Sequence, residues 1–284
     1  MRVTIVSHQV ELYSNQRLSL AARARGHTVS ILDPLSITPA VGVPMACTAG
    51  CDVVIPRVVT LVLDHSLLAV SMFEQAGVPC LNASSAIASA ANKFAALCRL
   101  ADAGIAVPRS CLPRDAAALR AFARQIGHES LVLKVMRGFG GDGVMEADTL
   151  DVAQALLETW LDMGRCVLVQ ERIYCDMKDL RVVVVRGQVV GAIQRTAAEG
   201  DFRANVSAGG TAIAFAVDAE LERLSLTATA ALGLEVCGVD VLLSDSGPVV
   251  TEVNACPGLK AFEEATGVDL ADRIIVAAEE VAKG

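Results

Sequence analysis

Aromatic side chains are scarce: they make up 4% of the 284 residues, with one Trp and two Tyr. A core must then be built from Val, Leu, Ile and Ala, a composition that suits buried strands flanked by helices. Basic runs are missing as well. Lys and Arg total 24 against 32 Asp and Glu, a formal net charge of −8, and a chain without a basic stripe lacks the electrostatic footprint of a nucleic-acid binder. No uninterrupted apolar stretch reaches the roughly 18–20 residues of a membrane span. The start, Met1-Arg2-Val3-Thr4-Ile5-Val6-Ser7, reads as a strand rather than a signal peptide. No C-x-x-C pair occurs, and Cys47 with Cys51 has no second pair to complete a zinc site. The nine cysteines therefore read as reduced, buried thiols of a cytoplasmic protein. The histidines His8, His27, His65 and His128 show no metal or triad spacing, and no G-x-S-x-G elbow is present.

What is present is apolar: 53% hydrophobic residues, enough to bury a sizeable core and to exclude disorder. The first third alternates strands (2–7, 28–32, 52–57, 78–81) with helices (14–25, 64–75), a pattern that predicts a small parallel, Rossmann-like sheet. An Ala-rich helix is expected over 84–103. The middle reads as an α+β lid, with helices over 114–125 and 149–161 and strands over 131–135 and 166–171. The last third predicts strands over 180–185, 189–194, 237–243 and 248–254, and helices over 219–232 and 269–282. The corresponding domains are 1–83, 84–170 and 171–284, an α/β architecture throughout.

The strongest chemical signal lies on two strands, Gly238-Val239-Asp240-Val241 and Thr251-Glu252-Val253-Asn254. Alternation puts Glu252 and Asn254 on one face with Val253 on the other, and a hairpin partner can bring Asp240 opposite them. Two carboxylates and an amide oxygen are hard ligands that suit Mg²⁺ when phosphates fill its remaining positions. A polar, solvated hairpin face is the plainer alternative. Against it, both acids stand among apolar residues, where an unpaired carboxylate is costly.

Lys134 ends an apolar strand and leads into Arg137-Gly138-Phe139-Gly140-Gly141-Asp142-Gly143. Backbone N–H groups of such a loop can approach phosphate oxygens, and a lysine adds charge beside them. The P-loop order of residues is not met. Glu171 closes a strand where lid and last domain meet, a place to read an adenine edge or simply a strand end. Asp179 and Arg181 share a strand face, suited to a ribose hydroxyl and a phosphate or to a surface ion pair. Arg195, Arg203 and Asn205 add donors that match anionic groups.

In this order, Lys93, Lys134 with its glycine loop, Gln170-Glu171, Asp179-Leu180-Arg181, Arg203-Ala204-Asn205, Asp240 and Glu252-Val253-Asn254, the chain resembles ATP-grasp ligases, most closely the RimK-type α-L-glutamate ligases. Supporting runs are Leu12-Tyr13-Ser14, Ile55-Pro56-Arg57 and Asn254-Ala255-Cys256-Pro257-Gly258-Leu259, so the resemblance spans nearly the whole chain.

The resemblance implies an ATP-grasp fold behind a Rossmann-like N-terminal domain. It implies an enzyme that activates an acceptor carboxylate as an acyl phosphate and joins it to L-glutamate, releasing ADP and phosphate. ATP would be bound by Lys93, Lys134, Gly140, Gly141, Gly143, Glu171, Arg172, Ile173, Asp179, Arg181, Arg203, Ala204 and Asn205. Of these, Lys134, Arg203 and Asn205 would take part in catalysis. Asp240, Glu252 and Asn254 would hold two Mg²⁺ ions, with Mn²⁺ as a substitute. The acceptor would be a ribosomal protein C-terminus or a small cofactor such as a pterin. A ligase for another amino acid or for short peptides, and a nucleotide-binding regulatory module without turnover, are the alternatives. A homo-oligomer is expected.

The acceptor site is expected at the C-terminal ends of the first strands, where ligands of open α/β sheets collect. Tyr13, Ser14, Arg57 and Arg195 are the candidates there.

Overall fold

The computed structural model describes residues 1–40, 42, 46–58, 60–136, 143–175, 178–197 and 210–283, with the backbone only of 178. The first third forms a parallel sheet. β1 (Arg2–Val6) lies between β2 (Thr28–Leu32) and β3 (Val53–Pro56), in the order β2-β1-β3. α1 (Tyr13–Ala24) and α2 (Leu63–Gln75) cover it. The strand expected over 78–81 reduces to a single parallel bridge between Val54 and Cys80, since Pro79 has no N–H to extend a ladder.

The helix expected over 84–103 is two helices, α3 (Ser84–Ala91) and α4 (Lys93–Asp102). Between them Asn92 leaves helical geometry and caps α4, its side chain accepting from the Ala95 N–H at 3.1 Å. The break makes Lys93 the first residue of α4.

The middle of the chain supplies β4 (Ser110–Cys111), α5 (Ala116–Ile126), β5 (Leu131–Val135), β6 (Val144–Ala147), α6 (Leu150–Asp162) and β7 (Val167–Glu171). The strands form an antiparallel sheet, β4-β7-β5-β6. Leu131, Leu133, Val167 and Val169 pack on Leu119 and Leu157 of the two helices, which leaves Val132, Lys134, Leu168 and Gln170 on the opposite face.

The last third forms a second antiparallel sheet, β10-β9-β8-β11-β12. Its strands are β8 (Lys178–Val185), β9 (Gln188–Thr196), β10 (Thr211–Phe215), β11 (Val236–Ser244) and β12 (Gly247–Asn254), accompanied by α7 (Ala219–Leu232), α8 (Lys260–Thr266) and α9 (Leu270–Val281). On one face Val182, Val239 and Val250 meet α3, α4 and α7. On the other, Val183, Val185, Ile193 and Val236 join Val3 and Ile5 of the first sheet and Leu18 of α1 through Phe262 and Ile274. The last helix thus ties the first and last sheets into one core.

β4, β6, β10 and α8 have no counterpart in the sequence reading. Among the described residues no helix is long and apolar enough to cross a membrane, and no disulfide forms. The cysteines are not uniformly buried as expected: Cys237 is buried, but Cys98 and Cys166 are exposed.

Candidate active site

One irregularity in β12 assembles the acidic residues. Asp240 pairs with Glu252 but Val241 pairs with Val250, so Thr251 is the extra residue of a β-bulge. Strict alternation would turn Glu252 to the side of buried Val250. The bulge resets the count, placing Glu252 beside Asp240 and Asn254 opposite Gly238, all toward the same side as Arg181.

Arginines hold the buried acids. Arg181 forks onto Asp240, Nε to Oδ1 at 2.8 Å and Nη2 to Oδ2 at 2.7 Å. Arg195, whose side chain is 3% exposed, forks onto Asp179 and also reaches Asp240 Oδ2 at 3.2 Å. Burial alone would raise the Asp240 pKa, but the charges and hydrogen bonds of Arg181 and Arg195 hold it below the ordinary carboxylate value. Asp179 is raised by burial and by the charge of Asp240, with Arg195 opposing. Burial works against the charge of Arg195, but Asp240 and Asp179 hold its pKa above the usual value. The cost of burying Asp240, taken from sequence as an argument for a metal, is therefore already offset by two guanidinium groups. A carboxylate offers about four lone-pair sites, so acceptor capacity remains on both acids.

Across a cleft from these acids stand two lysines. Lys93 Nζ lies 3.5 Å from Glu252 Oε1, and the Glu252 side chain is 38% exposed. Lys134, Leu168, Gln170 and Thr251 line the same cleft. Burial lowers the Lys134 pKa and Lys93 adds to the effect, while Glu252 and Asp240 oppose it. The first turn of α4, the polar face of the four-stranded sheet and the edge strand β12 thus converge on one cationic and acidic cleft.

The strand end 171–173 is engaged differently from expectation. Glu171 accepts from the Arg109 N–H at 2.8 Å and from Arg109 Nε at 2.7 Å, so its carboxylate is not aimed freely at a base. Arg172 pairs with Glu146 at 2.8 Å and Asp148 at 2.7 Å and stacks over Tyr174, while Ile173 is half-buried. Gly143 accepts from the Val135 N–H at 2.8 Å, where the chain turns into β6. Gly140, Gly141, Arg203, Ala204 and Asn205 lie outside the described residues.

Tyr13 and Ser14 do not face this cleft. Tyr13 donates to Glu263 at 3.0 Å and the Ser14 hydroxyl accepts from the Leu259 N–H at 3.4 Å, so both fasten α1 to the chain around α8. Arg195 is committed to its two carboxylates. Arg57 is 7% exposed and donates through Nη2 to the Pro257 carbonyl at 2.8 Å.

Two supporting residues escaped the sequence reading. Asn82 accepts from the N–H groups of Glu235 and Val236 at 2.7 and 2.8 Å and donates to the carbonyls of Val236 and Ala255 at 2.7 and 2.9 Å. It pins the start of β11 to the residue after Asn254. Gly238 is the second: a Cβ there would meet Pro257 Cβ at 3.2 Å and Arg181 Cδ at 3.3 Å. Before a helix, Asn82 reads as an ordinary loop residue, and only the strand pairing reveals why position 238 must be small.

Comparison with known proteins covers both parts of this arrangement. Residues 90–278 match the model of the RimK-like ATP-grasp domain, and residues 1–87 match that of the RimK PreATP-grasp domain. A protein of Shewanella loihica named "Probable alpha-L-glutamate ligase" is 38% identical over 291 residues, covering 100% of this chain and 97% of that protein. The crystal structure of a RimK domain ATP-grasp protein from Sphaerobacter thermophilus superposes with a TM-score of 0.79 at 25% identity, covering 98% of this chain and 99% of that one. The ATP-grasp ligase PsnB, in complex with a phosphomimetic variant of its minimal precursor, Mg and ADP, superposes with a TM-score of 0.77 at 22% identity, covering 99% of this chain and 98% of that one, and shares the fold.

Proposed function

The chain belongs to the RimK-like ATP-grasp family and is an ATP-dependent ligase, and from that premise we propose that it joins an acceptor carboxylate to the amino group of L-glutamate. The acceptor is a protein C-terminus or a small cofactor such as a pterin. The observation that carries this reading is the convergence of Lys93, Lys134 and Glu252 on one cleft, with Asp240 beside Glu252.

ATP, when bound, supplies the phosphoryl group that activates the acceptor carboxylate as an acyl phosphate. Lys93 and Lys134 neutralise its phosphates, and Lys134 does so from a half-buried position where electrostatic contacts are stronger than in open solvent. The main chain near Ile173 meets the adenine edge, with Glu171 held back by Arg109. Asp179, after its two bonds from Arg195, keeps lone pairs for a ribose hydroxyl.

The donor set fits Mg²⁺ in chemistry. Asp240, Glu252 and Asn254 offer two carboxylates and an amide oxygen, and phosphate oxygens complete the coordination. The described residues contain no group of three or more His, Cys, Asp or Glu side chains placed to hold a metal by themselves, and the proposed set accordingly relies on the amide of Asn254 and on phosphate oxygens. Two ions are proposed, and Mn²⁺ can replace Mg²⁺. Arg181 and Arg195 keep Asp240 ionised and aimed, so the metal meets a charged ligand.

The test is turnover by the purified full chain with ATP, Mg²⁺, L-glutamate and a panel of carboxylate acceptors. ADP release that requires both glutamate and an acceptor, with a product heavier by one glutamyl residue, is the expected result. Incorporation of another amino acid would overturn the choice of glutamate. Nucleotide binding without turnover across the panel would favour a regulatory module.

A further inference from the structure

The polar groups at the junction of the first sheet with β12 are not explained by the nucleotide cleft. β1 lies between β2 and β3, so the chain reverses direction of winding at the β1/β3 pair, and ligands of open α/β sheets bind outside the carboxyl ends at such a point. Arg57 directly follows β3, and its N–H donates to the Val6 carbonyl at 2.8 Å, at the end of β1. The residue is more than nine-tenths buried, 7% exposed, yet among the described residues it has no carboxylate within ion-pairing distance. One donor is used on the Pro257 carbonyl, while Nε is buried with no partner. Every other buried arginine fork described above meets an acid: Arg181 meets Asp240, and Arg195 meets Asp179 and Asp240.

A second unsatisfied group stands at the same strand end. Asn15, fully buried in the first turn of α1, donates to the Ser7 hydroxyl at 2.9 Å and to the Gln9 carbonyl at 2.7 Å, and its Oδ1 has no partner. Ser7 follows Val6, the residue that Arg57 grips. Buried polar atoms are satisfied in the great majority of cases, and a buried charge without a counter-ion is costly. A neighbouring thiol, Cys256, takes the Val58 N–H at 3.3 Å and offers Arg57 no fork.

We propose that Arg57 forms a carboxylate-binding subsite between the first sheet and the segment 255–259, which holds a carboxylate of one of the two molecules being ligated. The proposal rests on the ligase reading above and deepens it by placing a substrate beside the segment that follows β12. A guanidinium fork matches a carboxylate in two parallel hydrogen bonds. The grip on Pro257, three residues beyond Asn254, sets that carboxylate next to the end of the acidic strand. The carboxylate comes either from the amino acid or from the acceptor.

Calorimetry on the full chain separates these sources, using L-glutamate in one arm and N-acetyl-L-alanine, a mimic of a peptide C-terminus, in the other, both in the presence of Mg·ADP. At least one probe is expected to bind, and Arg57→Ala to weaken it tenfold or more while leaving Mg·ADP affinity within twofold. Arg57→Lys keeps the charge and the fold but loses the fork, and should weaken the same probe by a smaller factor. Equal binding of both probes by wild type and both variants overturns the proposal, as does failure of wild type to bind either probe while it binds Mg·ADP. Loss of Mg·ADP binding by wild type would instead strike the ligase reading.

Discussion

Arg195 and Asp240 meet at 3.2 Å across β8, joining two ion pairs into one buried lattice with Asp179 and Arg181. Each charge in this lattice has a partner, and removing one leaves others uncompensated.

Arg195→Met is accordingly expected to destabilise the protein by about 3–5 kcal/mol, the range for breaking a buried pair by deleting one member. Adding Asp179→Asn should restore part of that loss, because it removes the carboxylate stranded by the first change. Denaturant midpoints of the two variants check this. An Arg195→Met protein as stable as wild type would show that the lattice does not hold the sheet.

Glu252→Gln should abolish turnover, lowering kcat/KM by about 100-fold or more, while leaving the fold intact. Its side chain is 38% exposed and its ion pair with Lys93 is long at 3.5 Å, so the stability change should stay within about 0.5 kcal/mol. Asn254→Ala removes a neutral ligand and should cost less activity. Near-normal rates for Glu252→Gln at saturating Mg²⁺ would overturn its assignment.

Gly238→Ala introduces a methyl 3.2 Å from Pro257 Cβ and 3.3 Å from Arg181 Cδ. Overpacking of this kind costs about 1–3 kcal/mol. Here it also pushes Arg181 off Asp240, so activity should fall further than the melting temperature suggests. Thermal melts and initial rates on the same preparation compare the two losses.

The acid side of the stability profile should depend on Glu279. Arg25 holds its carboxyl down from an ordinary 4.5 to about 2, aided by a 2.7 Å contact with His27 and opposed by burial. A group whose pKa is depressed by folding adds stability above its unfolded value and loses it as pH falls toward the folded one. Melting temperature should therefore decline between about pH 4.5 and pH 2, and Glu279→Gln should flatten that decline. Parallel curves for both proteins would assign the acid sensitivity elsewhere.

Much of the site was legible in the order of residues. Lys134 closes an apolar strand, and alternation put Glu252 and Asn254 on one face with Val253 on the other, as the sheet confirms. Arg57 stood out because it follows Ile55-Pro56 at a strand end. The partners of these groups were not legible. Asp179 and Arg195 are 16 residues apart, and Arg181 and Asp240 are 59 apart; nothing local says that each arginine will meet an acid. Tyr13 and Ser14 are acceptor-site candidates by sequence, and nothing local announces their hydrogen-bond partners, Glu263 and Leu259, some 250 residues away.

The sequence by itself determined the alternation of strands and helices, the apolar faces and the inventory of charged groups, because these follow from periodicities of 2 and 3.6 and from burial preference. Tertiary structure alone decided which face the inventory occupies and what neutralises it. The bulge at Thr251 turns Glu252 to the side of Asp240, Asn92 breaks a helix so that Lys93 heads α4, and Gly238 leaves room for Arg181 to reach its acid. The Asn92 cap is local and the bulge lies within one hairpin, but what they bring together, Lys93 with Glu252 and Arg181 with Asp240, lies far apart in the chain.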